Sequence, residues 1–277
     1  YDCYPCFLRQ ALSAARRVGA DDLEQSAVVQ QALTLLRKIQ PGATPPEIAY
    51  RVHRIVRDTI AAPDPYEEAK AKSTEDALAI YPRLKRLVTE SDDALDTAIR
   101  VSIAGNIIDF GVSEDVPDLW GIIESVLHQP FAVDDTAKLR SKLESADHVL
   151  FLGDNAGETV FDRILIETLP LPVTYVVKGG PILNDATMED AIAAGLDQCA
   201  TLLSNGSDAP GTIFKLCSDE FLRQYEAAPL IIAKGQAHYE CLSAGDPKVF
   251  CLLRVKCPVI ARDIGTPVDS IVVRQSR

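Results

Sequence analysis

The residues best suited to chemistry cluster at four points, each just past a short apolar run. Leu150-Phe151-Leu152 is followed by Gly153-Asp154-Asn155-Ala156-Gly157-Glu158, a carboxylate and a carboxamide with a second carboxylate close behind. The run 173–177 is followed by Lys178-Gly179-Gly180 and, after Pro181-Ile182-Leu183, by Asn184-Asp185. The run 230–233 leads into Lys234-Gly235-Gln236, and 249–253 into Arg254-Val255-Lys256. Carboxylate and amide oxygens are the donors a hard divalent cation takes, while lysine and arginine pair with phosphate. Brought together, the four points make an oxygen-rich cation site ringed by positive charge. A helix beginning near Gly157 adds backbone N–H groups facing the same place.

Each stretch has a plainer reading beside the functional one. Asp154-Asn155 and Asn184-Asp185 both suit an Asx turn or a helix N-cap. Glu158 in a first helical turn suits the helix dipole, and Lys234 suits a solvated strand end. Arg254 and Lys256 suit a charged edge that discourages strand pairing. Asn106 and Asp109, flanked by Gly105 and Gly111, read either as a helix end or as a pocket wall. The same complementary chemistry at several strand ends is harder to explain by capping than by a shared ligand.

Such convergence needs a frame, and the apolar pattern supplies one. Beyond residue 147, short apolar runs near 148–152, 173–177, 200–203, 230–233, 249–253, 259–261 and 270–273 read as strands. They alternate with helical patterns at 160–169 and about 186–194. Strands apolar throughout imply a mostly parallel sheet layered with helices, an α/β fold. Ligands bind such sheets outside the carboxyl ends of the strands, where the four polar stretches lie. The chain before it is helical in pattern over 7–15, 21–39, 45–56, 66–89, 92–108, 116–127 and 134–144. The expected division is an all-helical subdomain over 1–144, acting as lid and pocket wall, and an α/β core over 145–277 that binds metal and phosphate.

Composition narrows the function classes. The 277 residues are 47% hydrophobic and 25% charged, which suits a folded domain rather than disorder. A formal net charge of −12 repels polyanions, so nucleic acid is not an expected partner. No apolar run approaches the roughly 20 residues that span a bilayer, so no membrane association is expected. Residues 1–6 show no secretory pattern. Seven cysteines, an odd number in a chain of this size, fit reduced thiols and a cytoplasmic location.

Several familiar sites are absent. The four histidines form no H-E-x-x-H, and there is no P-loop, G-x-G-x-x-G or nucleophile-elbow serine. Cys3-x-x-Cys6 is half a zinc site; it reads as a metal or redox pair or as packing of the first helix.

Gly153-Asp154-Asn155-Ala156-Gly157-Glu158, the stretch 179–187 and Lys234-Gly235-Gln236 resemble the damage-control phosphatase family, also called domain of unknown function 89. Gly105-Asn106-Ile107-Ile108-Asp109 and Cys3-x-x-Cys6 extend the resemblance over nearly the whole chain, toward its prokaryotic, cysteine-bearing branch. The resemblance implies a metal-dependent phosphatase acting on small phosphorylated metabolites, including damaged or side-product ones. It implies Asp154, Asn155 and Asp185 as ligands of a divalent cation (Mn2+, Mg2+, Co2+ or Ni2+). Asn106, Asp109, Gly157, Glu158, Lys234, Arg254 and Lys256 would surround the phosphate and the reacting water. The cation polarises a phosphoryl oxygen, Lys234 with Arg254 or Lys256 offsets the charge, and Asp154 or Glu158 orients the water. The competing expectations are a non-catalytic phosphometabolite-binding protein and a metal or redox protein built on Cys3 and Cys6.

Overall fold

The structure, a computed structural model, describes residues 2–40, 42–107 and 119–277. Three helices open it: α1 (Cys3–Arg17), α2 (Asp22–Leu36) and α3 (Pro45–Ile60). Asp21 and Thr44 start α2 and α3 with capping boxes, paired with Glu24 and Glu47 respectively. Their buried faces, including Phe7, Ala11, Val28, Ala32, Val52 and Val56, form a core of their own. Then come α4 (Glu67–Thr89), α5 (Ala94–Ile107), α6 (Leu119–His128), β1 (Phe131–Asp134) and α7 (Thr136–Ser145).

The sheet region continues with β2 (Val149–Leu152), α8 (Thr159–Thr168), β3 (Val173–Val177), α9 (Met188–Ala193) and β4 (Thr201–Ser204). It ends with α10 (Asp219–Ala227), β5 (Ile231–Lys234), α11 (Gly235–Leu242), β6 (Val249–Arg254), α12 (Pro258–Ile264) and β7 (Ile271–Gln275). Among the described residues the strands form one seven-stranded sheet, ordered β1-β7-β6-β5-β2-β3-β4. Every pairing is parallel except that of β6 with β7. β2 and β5 are buried at every position, as expected for strands covered on both faces. Alternate residues divide between the faces: Val149 and Phe151 join helices α4–α9, and Leu150 and Leu152 join α10–α12. The chain runs outward from β2 through β3 to β4, then returns across β2 to β5 and β6. The strand order therefore reverses between β2 and β5, the place where doubly wound sheets bind ligands.

Two expectations are corrected. Residues 259–261 belong to α12, not to a strand: Pro258 occupies the first turn and Gly265 ends the helix with φ of 82°. Proline in and glycine out are helix signals that outweigh a short Val-Ile-Ala run. Phe131–Asp134, expected to lie in the helical subdomain, is an edge strand paired with β7. Packing also groups α4–α7 with the sheet, so the cluster standing apart from it is α1–α3, joined by Tyr66 and Leu183. Among the described residues, no helix is long and apolar enough to cross a membrane.

Candidate active site at the strand reversal

β2 delivers Asp154 and Asn155 to the carboxyl edge, and register places Lys178 and Lys234 at the ends of the flanking strands. A second backbone link fixes Asp185 beside them. Asn155 and Asp185 form an antiparallel bridge, with Ala156 N donating to Asn184 O at 2.9 Å and Ala186 N to Asp154 O at 2.8 Å. Neither Asx pair serves as a helix cap. α8 is capped at Glu158 without a side-chain bond, and α9 starts at Thr187 in a capping box with Asp190.

Asn106, at the end of α5, reaches this cluster because Gly105 lies against α8. A Cβ on Gly105 would stand 2.8 Å from the Phe161 side chain. Asn106 Nδ2 donates to Asp154 Oδ2 and to Glu158 Oε2, both at 2.8 Å. Asn155 Nδ2 donates to the same two oxygens at 3.3 and 3.0 Å. One oxygen of each acid is thus held by two amides. Gly235, with φ of 76°, backs Asp154 so closely that a Cβ there would overlap the carboxylate.

Lys234 lies beneath this layer and is fully buried. Its ammonium donates to Glu158 Oε1 and Asp162 Oδ1, each at 2.5 Å, and to Ser102 O at 3.0 Å. Three protons therefore meet three acceptors. Asp162 also accepts from Ser102 Oγ at 2.7 Å and from Tyr175 OH at 2.9 Å. Burial pushes the Asp162 carboxyl up to about 6 against the opposing pull of Lys234. The two carboxylates outweigh burial at Lys234 and keep it protonated.

The second cation is Lys178, buried at the end of β3. It donates to Gly211 O at 2.6 Å and stands 3.4 Å from Asp185 Oδ2. That is ion-pair range without hydrogen-bond geometry, and among the described residues Asp185 Oδ2 is buried with no hydrogen-bond partner. Burial, then Glu158 and Asp185, hold Asp154 well above the usual carboxylate range, with Lys256 and Lys178 pulling it back. Asp185 is raised mainly by burial, opposed first by Lys178. Crowded, desolvated acids of this kind call for added positive charge.

Comparison with known proteins gives the family. Residues 1–272 match the family model "Damage-control phosphatase ARMT1-like domain". The chain belongs to the damage-control phosphatase family. A damage-control phosphatase of Archaeoglobus fulgidus is 37% identical, the match covering 98% of this chain and 97% of the relative. A damage-control phosphatase of Pyrococcus horikoshii is 32% identical over 100% of this chain and 98% of its own length. The crystal structure of a domain-of-unknown-function-89 protein from P. horikoshii superimposes with a TM-score of 0.92 at 32% identity, covering 100% of this chain and 98% of that one. An uncharacterized protein of Methanocaldococcus jannaschii is 34% identical over 99% of this chain and 94% of the relative.

In this damage-control phosphatase the structure brings Asn106, Asp154, Asn155, Glu158, Asp185 and Lys234 into one cluster, with the Lys256 charge in reach. Others are placed differently. Arg254 Nη2 pairs with Asp269 Oδ1 at 2.8 Å, and no contact links it to the cluster. Gly157 is buried ahead of α8, and a Cβ there would meet Ser73 Oγ at 2.8 Å, so it is a packing position against α4. Lys234, within the cluster, has its three ammonium protons engaged by Glu158, Asp162 and Ser102 O. Asp109 lies outside the described residues. Asp162, Ser102, Tyr175 and Lys178 were not among the expected site residues. Asp162 had a signal, an acid one helical turn beyond Glu158 and so on the same face of α8.

The donor set fits a hard dication. Among the described residues, no three His, Cys, Asp or Glu side chains form a ready cage. Two carboxylates and neighbouring amides are what a cation uses when it keeps part of its shell for water and phosphate oxygens. Among the described residues, Asp185 Oδ2 and Asn106 Oδ1 are buried without hydrogen-bond partners, and the missing Cβ of Gly235 leaves the Asp154 carboxylate its place. Cys3 and Cys6 are free thiols on α1, and burial, followed by nearby Glu240, raises Cys3 away from a reactive thiolate.

Proposed function

We propose that this damage-control phosphatase is a metal-dependent phosphoric monoester hydrolase of small phosphorylated metabolites, damaged or side-product ones among them. The observation that carries the proposal is the bridge locking Asp185 beside Asn155 and Asp154, with buried lysines on either side. Asp154, Asn155 and Asp185 would hold the dication. When bound, a cation such as Mn2+, Mg2+, Co2+ or Ni2+ supplies Lewis-acid stabilisation of phosphoryl charge and a more acidic water.

The chain's own groups do the rest. Asn106 and Asn155 fix Asp154 Oδ2, and among the described residues nothing donates to Asp154 Oδ1. Both Glu158 oxygens are engaged, so Asp154 Oδ1 is the oxygen of this acid pair left to meet the cation and orient the water beside it. Lys178 and Lys256 draw the dianionic ester inward. Lys234 pairs with Glu158 and Asp162 beneath the cluster and holds both side chains in place.

Phosphate release from p-nitrophenyl phosphate tests this reading. The account expects activity lost in EDTA and restored by Mn2+ or Co2+. An EDTA-resistant rate rejects the metal dependence, and no rate with any of the four cations rejects the hydrolase in favour of a binding protein. Asp154→Ala and Asp185→Ala should each abolish metal-dependent release while leaving the far-UV circular dichroism unchanged.

A further inference from the structure

We propose that Arg57 and Leu183 are positioning residues for Asp185, so that the α1–α3 cluster sets the geometry of the cation site rather than merely covering it. The inference rests on the reading of Asp185 as a ligand. The loop that delivers Asp185 leaves β3 at Lys178 and returns to β2 at the Asn155 bridge. Its inner end is pinned to the loop that follows β4, with Gly179 N donating to Ser207 O at 2.8 Å. Its outer end, at Pro181 to Leu183, is held by α3. Arg57 Nη1 donates to Pro181 O, and Nη2 pairs with Asp208 Oδ2 at 2.5 Å. The planar guanidinium thus ties α3 to two loops with one fork, which a lysine cannot copy.

Leu183 adds the second anchor. It adopts φ of 48°, a backbone conformation disfavoured for leucine, and its side chain packs into the α1–α3 core. Asp185 N donates to Ile182 O at 3.0 Å, so the turn around Leu183 directly sets where Asp185 begins. Strain held by packing on one side and by a strand bridge on the other leaves the carboxylate little freedom. Residues that hold a ligand in this way typically change metal affinity or activity by about 10–100-fold when removed.

The experiment measures Mn2+ binding by calorimetry on the full chain, beside kcat and KM for p-nitrophenyl phosphate and the melting temperature in EDTA. Arg57→Ala should weaken Mn2+ binding about tenfold, with KM for the ester little changed at saturating metal. Arg57→Lys should recover only part of the loss. Leu183→Gly, which relieves the strained φ and removes the anchor, should also weaken Mn2+ binding. If Arg57→Ala does not fold, Asp208→Ala removes one arm of the fork from the exposed side and should weaken Mn2+ binding in the same direction. Mn2+ affinity within twofold of the parent in these variants overturns the inference. Undiminished Mn2+ binding in Asp185→Ala overturns the ligand reading itself, and the two failures are thereby told apart.

Discussion

Lys234 stands between two acids in a region closed to solvent, so its removal is felt twice. Lys234→Met leaves Glu158 and Asp162 as uncompensated buried charges. Breaking a buried pair from one side costs about 3–5 kcal/mol, and urea unfolding of the variant should show a loss of that order. A variant as stable as the parent would contradict the buried network. Gly235→Ala is the matching test one residue on. It forces a side chain into left-handed backbone and against the Asp154 carboxylate, and should cut phosphate release at least about tenfold. Unchanged turnover would mean that Asp154 is not fixed from behind. At this scale Asp154, Asn155 and Asp185 were legible because acids and amides stood just past apolar runs. The saturation of Lys234 was not, since only the fold shows Asp162 and Ser102 O waiting below the strand end. Arg254 misled for a related reason: its partner, Asp269, comes from the turn before β7.

The central elements follow directly from pattern. β2, β3 and β5 are short and largely apolar, with a glycine one or two positions beyond each, and the capping boxes at Asp21 and Thr44 open their helices in the open. The elements that escaped lie at the margins. β1 alternates between half-buried and exposed positions at the sheet edge, and α12 presents a Val-Ile-Ala run inside a seven-residue helix. Helix α3 carries its own pH test. His53 is buried, and burial, reinforced by Arg57, depresses it to about 4 from an ordinary 6.5. A depressed histidine folds in its neutral form, so its contribution is whole above pH 6.5 and is lost as pH falls toward 4. The difference corresponds to about 3 kcal/mol. The urea midpoint of the parent should fall over that window, and His53→Leu should flatten the fall. Equal slopes for the two proteins would contradict the burial of His53.

On the scale of the whole molecule, the sheet reverses direction between β2 and β5, and every group proposed to act stands at or beside that seam. An acidic chain can still draw a phosphate ester there, because Lys178 and Lys256 lie on the same edge as the acids that would hold a dication. α5 closes the seam from one side through Asn106, and α1–α3 hold the Asp185 loop from another. The sequence pattern placed the four polar stretches at one sheet edge but not the α3 clasp, which depends on residues more than a hundred positions apart. The most direct measurement is anomalous diffraction from crystals of the chain grown with Mn2+. One strong peak within coordination distance of Asp154, Asn155 and Asp185 is the predicted result; full phosphatase activity with manganese density elsewhere would contradict it.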